Sequence, residues 1–167
     1  PTALEAARAE ERVGEQLEAR VFAHSDVVEL ARYSRVPVVN GLSDYSHPCQ
    51  GAADLLTIYE RFGKLEGLRV AFVGDGNNVA ASLAFGCALA GAQCVVASPE
   101  GYDLNASVAK KANKIAKQTG GALTLLRDPA EAVRAANVIY TDVWTSMGQE
   151  EETERRLKVF SPLYQIN

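Results

Sequence analysis

The chain has 167 residues, a formal net charge of −4, 23% charged residues and 47% apolar ones, enough for one ordinary globular domain or somewhat more. That balance excludes a disordered chain, and without a long basic run it excludes a dedicated nucleic-acid surface. No apolar run reaches membrane-spanning length; the longest, Val79 to Ala90, is interrupted by Ser82 and Gly86.

The start, Pro1-Thr2-Ala3-Leu4-Glu5, has neither the basic nor the apolar region of a secretory signal. Cys49, Cys87 and Cys94 are odd in number and lack metal spacing, so they read as free thiols in a reducing, cytoplasmic setting. His24 and His47 are the only histidines, which argues against a His-rich metal site; neither metal nor cofactor is expected.

Residues 3 to 18, rich in Ala, Glu and Arg, read as a helix with a poor apolar stripe. Ala19 to Ala23 reads as a short strand. His24-Ser25-Asp26 then offers an N-cap for a helix from Val27 to Tyr33. Val36 to Asn40 reads as a second strand, its proline near the start, where strands tolerate it. After the loop Gly41 to Ser46, His47-Pro48 marks a helix start, because proline suits the first helical position. That helix should run to about Phe62, and Gly63 to Gly67 is a turn and a candidate domain boundary.

A regular rhythm follows. Strands are expected at Arg69–Gly74, Gln93–Ser98, Ala122–Leu126 and Val138–Asp142. Between them lie a buried small-residue helix at Val79–Ala90 and an amphipathic one at Leu104–Gln118, with Leu104, Val108, Ala112 and Ile115 on one face. A short helix opened by Asp128-Pro129 ends near Ala136. Alternating strands and helices predict βαβ units. The fold class is therefore α/β: a Rossmann-like parallel sheet flanked by helices, plus part of a second α/β domain.

Four segments could carry chemistry. The most informative is Asp142-Val143-Trp144-Thr145-Ser146-Met147-Gly148-Gln149-Glu150. It closes an apolar strand with a carboxylate, and a polar loop with a flexible glycine follows. Ligands of open parallel sheets bind beyond the carboxyl ends of the strands, and a carboxylate there suits a small cationic ligand such as an amino acid. The competing readings make Asp142 a cap or turn former, Met147 a core residue and Trp144 a packing anchor.

Gly74-Asp75-Gly76-Asn77-Asn78-Val79 has the strand-to-helix context of a dinucleotide fingerprint, but Val79 stands where the third glycine belongs and no acidic residue closes the next strand. A tight turn with a packing glycine is the plainer reading; in another, the Asn77 and Asn78 amides hold a carboxylate or an amine. His47-Pro48-Cys49-Gln50 places a donor and an amide at a helix N-terminus, which suits an anion, against the plainer reading of a capping histidine beside an exposed glutamine. Cys49 reads as a packed thiol rather than a nucleophile. Arg20, flanked by apolar residues, must pair with a carboxylate or face a ligand.

Taken together these motifs resemble the aspartate/ornithine carbamoyltransferase family. The resemblance rests on Ala19-Arg20-Val21-Phe22, on Val38-Val39-Asn40-Gly41-Leu42-Ser43-Asp44 leading to His47-Pro48-Cys49-Gln50, on Gly74-Asp75-Gly76-Asn77-Asn78, and on Asp142 through Glu150. The Ser146-Met147-Gly148 loop points to the ornithine branch. The resemblance implies carbamoyl transfer from carbamoyl phosphate to the δ-amine of L-ornithine, giving citrulline and phosphate. Arg20 and His47 would be catalytic; Arg20, His47 and Gln50 would contact the carbamoyl phosphate; Asn78, Asp142, Ser146 and Met147 would hold ornithine. It implies a homotrimeric parent, cytoplasmic or in a mitochondrial matrix, that needs no nucleic acid and no membrane.

The division expected is the end of a carbamoyl-phosphate domain at residues 1–47, a linking helix and turn at 48–66, and an ornithine domain at 67–167. The family's Ser-x-Arg-Thr phosphate loop and its His-Cys-Leu-Pro loop do not occur in these residues. The chain is therefore expected to be an internal fragment, with little or no transferase activity alone. Two other functions stay open at this point: a non-catalytic binding module that retains the fold, and an NAD-dependent oxidoreductase suggested by Gly74-x-Gly76. Within the family, putrescine or acetylornithine are alternative acceptors.

Overall fold

A computed structural model describes residues 15–146 and 148–167. Two parallel sheets make up its frame. The smaller pairs β1 (Leu17–Arg20) with β2 (Val38–Leu42), joined by α1 (His24–Tyr33). Helix α2 (Pro48–Phe62) leads to the larger sheet, built from β3 (Arg69–Val73), β4 (Gln93–Ala97), β5 (Ala122–Leu126) and β6 (Val138–Tyr140). Helices α3 (Asn78–Leu89), α4 (Ala106–Thr119) and α5 (Pro129–Val133) connect these strands, and α6 (Thr153–Phe160) follows the last loop. All strand pairs of the larger sheet are parallel, in the order β5-β4-β3-β6.

Period-two alternation along β3 and β4 divides the core between the two faces of this sheet. Val70, Phe72, Cys94 and Val96 pack with α3 and α4 through Leu83, Ala84, Val108 and Ala112. Val73, Val95 and Ala97 pack on the opposite face with Ala132, Phe160 and Tyr164. The expected apolar face of α4 is the one buried, and α3 is buried nearly all round. Trp144 stacks on Phe160 at 5.9 Å between ring centroids, in the packing role the sequence suggested.

The larger sheet follows the sequence closely; the smaller one does not. Both of its strands lie about two residues from their expected places, because pairing sets the register: Leu17 pairs with Val38, and Arg20 with Leu42. Val36 is lost to the ladder because the Ser34 hydroxyl takes both its N–H (3.1 Å) and its C=O (2.8 Å). The helix expected over residues 3 to 18 falls largely outside the described residues, and Leu17 and Glu18 belong to β1. His24 is the first residue of α1, not part of its cap. Ala23 holds the N-cap position, and the Asp44 carboxylate, distant in sequence, accepts the His24 N–H at 2.8 Å. Helix α5 ends at Val133, short of Ala136. Cys49 is exposed rather than packed, with its thiol 3.7 Å from the Asn40 carbonyl, and all three cysteines are free.

Two contacts fix the elements around the carboxyl ends of the strands. Gly76 lies where an added Cβ would collide with the Asp103–Leu104 backbone. Its lack of a side chain is therefore used for packing, as the plainer reading of that motif had it. Arg156 of α6 is only 6% exposed. Its Nη1 donates to Asp75 at 2.6 Å and to the Trp144 carbonyl at 3.0 Å, and its Nε donates to Glu152 at 2.9 Å. The guanidinium carbon also lies 5.0 Å from the centre of the Tyr102 ring. One side chain thus ties α6 to the turn after β3 and to the loop after β6.

Burial pushes the Asp75 carboxyl above its usual range, against the pull of Arg156. Ionised Asp75 is tolerable only because of its partner, so Arg156→Met strands a buried charge and is expected to cost about 3–5 kcal/mol at neutral pH. Removing the cation raises the folded-state value further. The loss should then shrink as pH falls through it, because the protonated acid needs no partner; urea midpoints across pH measure this. Gly76→Ala is expected to cost about 1–3 kcal/mol, because backbone rather than a flexible side chain stands in the way. Thermal unfolding reads that change.

Candidate functional site

β6 pairs with β3 rather than with β5, so the connections from the carboxyl ends of β3 and β6 leave the sheet in opposite directions. A crevice opens between them, as expected at the point where strand order reverses. The ends of β1 and β2 and the start of α2 close it from the other side. The result is a cavity of about 540 Å³, within the size range of small-molecule sites. Arg20, His47, Gln50, Asn78, Asp142 and Ser146 all line it; Met147 lies outside the described residues.

On the wall made by the smaller sheet and α2, Arg20 sits at the end of β1. It is exposed and makes no ion pair among the described residues. Of the two readings open for it, facing the cavity is the one its position fits. His47 holds the N-cap position of α2 ahead of Pro48, yet its side chain makes no capping bond. Its backbone N–H donates to the Ser82 hydroxyl at 2.8 Å, which pins the start of α2 to α3. The ring nitrogen Nδ1 is buried without a hydrogen-bond partner among the described residues. Gln50 is half-buried rather than exposed, and its amide donates to Asp54 at 2.8 Å.

On the opposite wall, Asn77 caps α3 by accepting the N–H groups of Val79 (3.0 Å) and Ala80 (3.1 Å). Its own amide donates to Asp142 at 3.1 Å. The helix-terminal donors that would hold a pyrophosphate are thus already engaged, and Gly76 faces backbone; neither feature supports the dinucleotide reading. Asn78 donates to the Ser43 carbonyl at 2.7 Å, which links the two halves across the cavity floor.

Asp142 caps no helix among the described residues. It is half-buried, takes the Asn77 amide, and has no ion-pair partner there. A half-buried carboxylate that faces a cavity with no ion-pair partner of its own attracts a cation. In the loop beyond, the Ser146 N–H donates to the Gln149 side chain at 3.1 Å, and the Gly148 N–H donates to Glu150 at 3.0 Å.

The structure also brings in residues that local pattern did not single out. Tyr140, the last residue of β6, lines the cavity, as do Thr145, Gln149 and Ser43, the last wholly buried at 0% exposure. Tyr140's position at a strand's carboxyl end was the one available clue. Ser43, deep in a turn, lay inside the Val38-to-Asp44 stretch of the resemblance, but nothing local marked its side chain for the cavity. Burial, and next the nearby Asp54 carboxylate, push the Tyr140 hydroxyl far above its usual range, so the phenol stays protonated as a donor.

Residues 66–167 match the family model described as aspartate/ornithine carbamoyltransferase, Asp/Orn binding domain, and residues 2–60 match the carbamoyl-P binding domain of the same family. Ornithine carbamoyltransferase of Thermococcus kodakarensis is 52% identical over 166 residues, which cover 99% of this chain and 52% of that protein. The Gloeobacter violaceus protein of the same name is 55% identical over 148 residues, covering 89% of this chain and 47% of its own length. The solved structure of ornithine carbamoyltransferase from Pyrococcus furiosus superposes with a TM-score of 0.93 at 51% identity, covering all of this chain and 53% of that one. The chain spans about half the length of the curated relatives it matches. With both family models matched in order along it, the chain belongs to the aspartate/ornithine carbamoyltransferase family.

Proposed function

We propose that the cavity holds a carbamoyl donor against the α2 wall and an amino acid against the β3–β6 wall. The protein would transfer the carbamoyl group of carbamoyl phosphate to the δ-amine of L-ornithine, forming citrulline and phosphate. One observation carries this reading: an unpaired cation, Arg20, and an unpaired carboxylate, Asp142, line the same 540 Å³ cavity among the described residues. The relatives' names point to ornithine and a carbamoyl group, the matched carbamoyl-P binding domain points to the donor, and opposed charges suit an anionic donor beside an amino acid.

In this reading the neutral δ-amine attacks the carbonyl carbon. The new C–N bond forms, the carbon–oxygen bond to phosphate breaks, and the departing phosphate takes up the amine proton. Negative charge grows on the carbonyl oxygen during attack, and Arg20 and His47 donate to it from the end of β1 and the start of α2. Gln50 holds the carbamoyl amide group. Asp142, steadied by Asn77, pairs with the α-ammonium, while Asn78, Ser146 and Met147 orient the amino acid so that attack becomes effectively intramolecular.

The same reading assigns residues 1–47 to the donor domain, 48–66 to the link and 67–167 to the acceptor domain, in a homotrimeric assembly. No helix among the described residues is long and apolar enough to cross a membrane. The family's Ser-x-Arg-Thr loop does not occur in the 167 residues, so citrulline formation by this chain alone should be slight; a radiolabel assay reads it.

Two substitutions test the two walls, in the protein expressed from its natural reading frame. Asp142→Asn should weaken ornithine binding about 10- to 100-fold, the range for losing a charge-assisted hydrogen bond, and leave carbamoyl phosphate binding nearly unchanged. Arg20→Ala should lower kcat about 10²- to 10³-fold, as expected when a donor to a developing oxyanion is removed. Calorimetry and steady-state citrulline formation check both. Ornithine affinity untouched by Asp142→Asn would remove the acceptor assignment.

A further inference from the structure

Gln50 poses a problem that its own position does not solve. A glutamine amide presents a donor at one end and an acceptor at the other, with nearly the same shape, and either end can face a pocket. A carbamoyl group likewise carries an oxygen and an NH2, so an undirected Gln50 could meet the wrong one. Asp54 lies one helical turn beyond Gln50 on α2, where residues four apart are neighbours. Its carboxylate is acceptor-only when ionised, and its Oδ1 takes the Gln50 Nε2–H at 2.8 Å. The other oxygen, Oδ2, is buried and has no hydrogen bond of ordinary geometry among the described residues, although the Tyr140 hydroxyl lies close enough to interact with both the Asp54 carboxylate and the Gln50 amide.

Resting on the functional reading above, we propose that Asp54 is a positioning residue. By claiming one N–H of the Gln50 amide, it leaves the amide oxygen as the acceptor offered to the cavity. It thereby selects a donor substrate that carries an NH2 group beside its carbonyl. Asp54 does not itself line the cavity, so it acts through the lining side chains beside it, Gln50 by a direct hydrogen bond and Tyr140 as a neighbour. The recognition follows from the principle that a site built around a hydrogen bond rejects the analogue lacking that partner, because its own polar group is left unsatisfied.

The discriminating pair is carbamoyl phosphate and acetyl phosphate, in which a methyl group replaces the NH2 with little change of shape. The protein expressed from its natural reading frame is titrated with each, alongside Asp54→Ala, the nearly isosteric Asp54→Asn, Gln50→Ala and the double variant Gln50→Ala/Asp54→Ala. Asp54→Ala should lose about tenfold in affinity for carbamoyl phosphate, one hydrogen bond's worth, and keep its affinity for acetyl phosphate. Asp54→Asn, whose carbonyl oxygen can still accept from Gln50, should recover part of the preference. The double variant should be no worse than Gln50→Ala.

Equal loss for both ligands in both Asp54 variants would mean that Asp54 only supports the fold, and the proposal falls. Unchanged preference in Asp54→Ala overturns it as well. If the unsubstituted protein binds neither acyl phosphate, the functional reading fails first and takes this one with it. If it binds both equally, the donor wall stands but the selection assigned to Gln50 and Asp54 does not.

Discussion

Parallel strands place all their carboxyl ends on one edge of a sheet, and the strand order β5-β4-β3-β6 splits that edge at β3. The site depends on this constraint. Had β6 paired with β5, the turn carrying Asn77 and the loop carrying Asp142 would lie three strands apart. Because β6 pairs with β3 through Val70–Val138 and Phe72–Tyr140, the two lie side by side. The Asn77 amide then reaches Asp142 at 3.1 Å. The smaller sheet adds a second set of parallel carboxyl ends, carrying Arg20 and Ser43, and Asn78 reaches across to the Ser43 carbonyl.

Electrostatics divides this region into a satisfied layer and an open one. Beneath the cavity, Arg156 and Asp75 neutralise each other at 7% and 12% side-chain exposure respectively. Such a pair contributes little net stability, since desolvating both charges offsets most of their attraction. What it supplies is position. Arg156 also holds the Trp144 carbonyl, so the loop from Asp142 to Ser146 is tied at its middle to the same residue that grips the β3 turn. At the cavity surface Arg20 and Asp142 have no such partners among the described residues. Charges that the fold leaves uncompensated are the ones available to ligands.

Helix α2 transmits this order to the other wall. Its N-terminus is fixed by the bond from the His47 N–H to Ser82, and Gly51, one turn on, allows close approach, since an added Cβ there would stand 3.1 Å from the Ser82 Cβ. His47, Gln50 and Asp54 lie along the first turns of a helix anchored to α3, and α3 is itself capped by Asn77. Both walls are therefore referenced to one buried helix, and rigid elements hold reactive geometry better than free loops do.

The larger sheet was legible in the sequence because its signals are local. The run Arg-Val-Ala-Phe-Val before a glycine, the small-residue helix after it, and the 3.6-residue stripe from Leu104 to Ile115 each fix an element without distant help. Arg20, His47, Gln50, Asn78, Asp142 and Ser146 were brought together by the family resemblance, while turn chemistry and strand ends alone left a plainer role open for most of them. The smaller sheet was misplaced by two residues because its register depends on pairing between β1 and β2, and because Ser34, not the ladder, satisfies Val36. The cap on α1 was assigned to the wrong residues because Asp44 supplies it from a turn 20 residues away. By itself, then, the sequence determined which segments become strands and helices in the larger sheet and which polar residues stand at their ends. Only the tertiary structure decided that β6 lies beside β3, that Arg156 is buried against Asp75, and that Tyr140 and Ser43 face the same cavity. Those outcomes depend on long-range pairing and on the cost of leaving a buried polar group unmatched, and no local pattern encodes either.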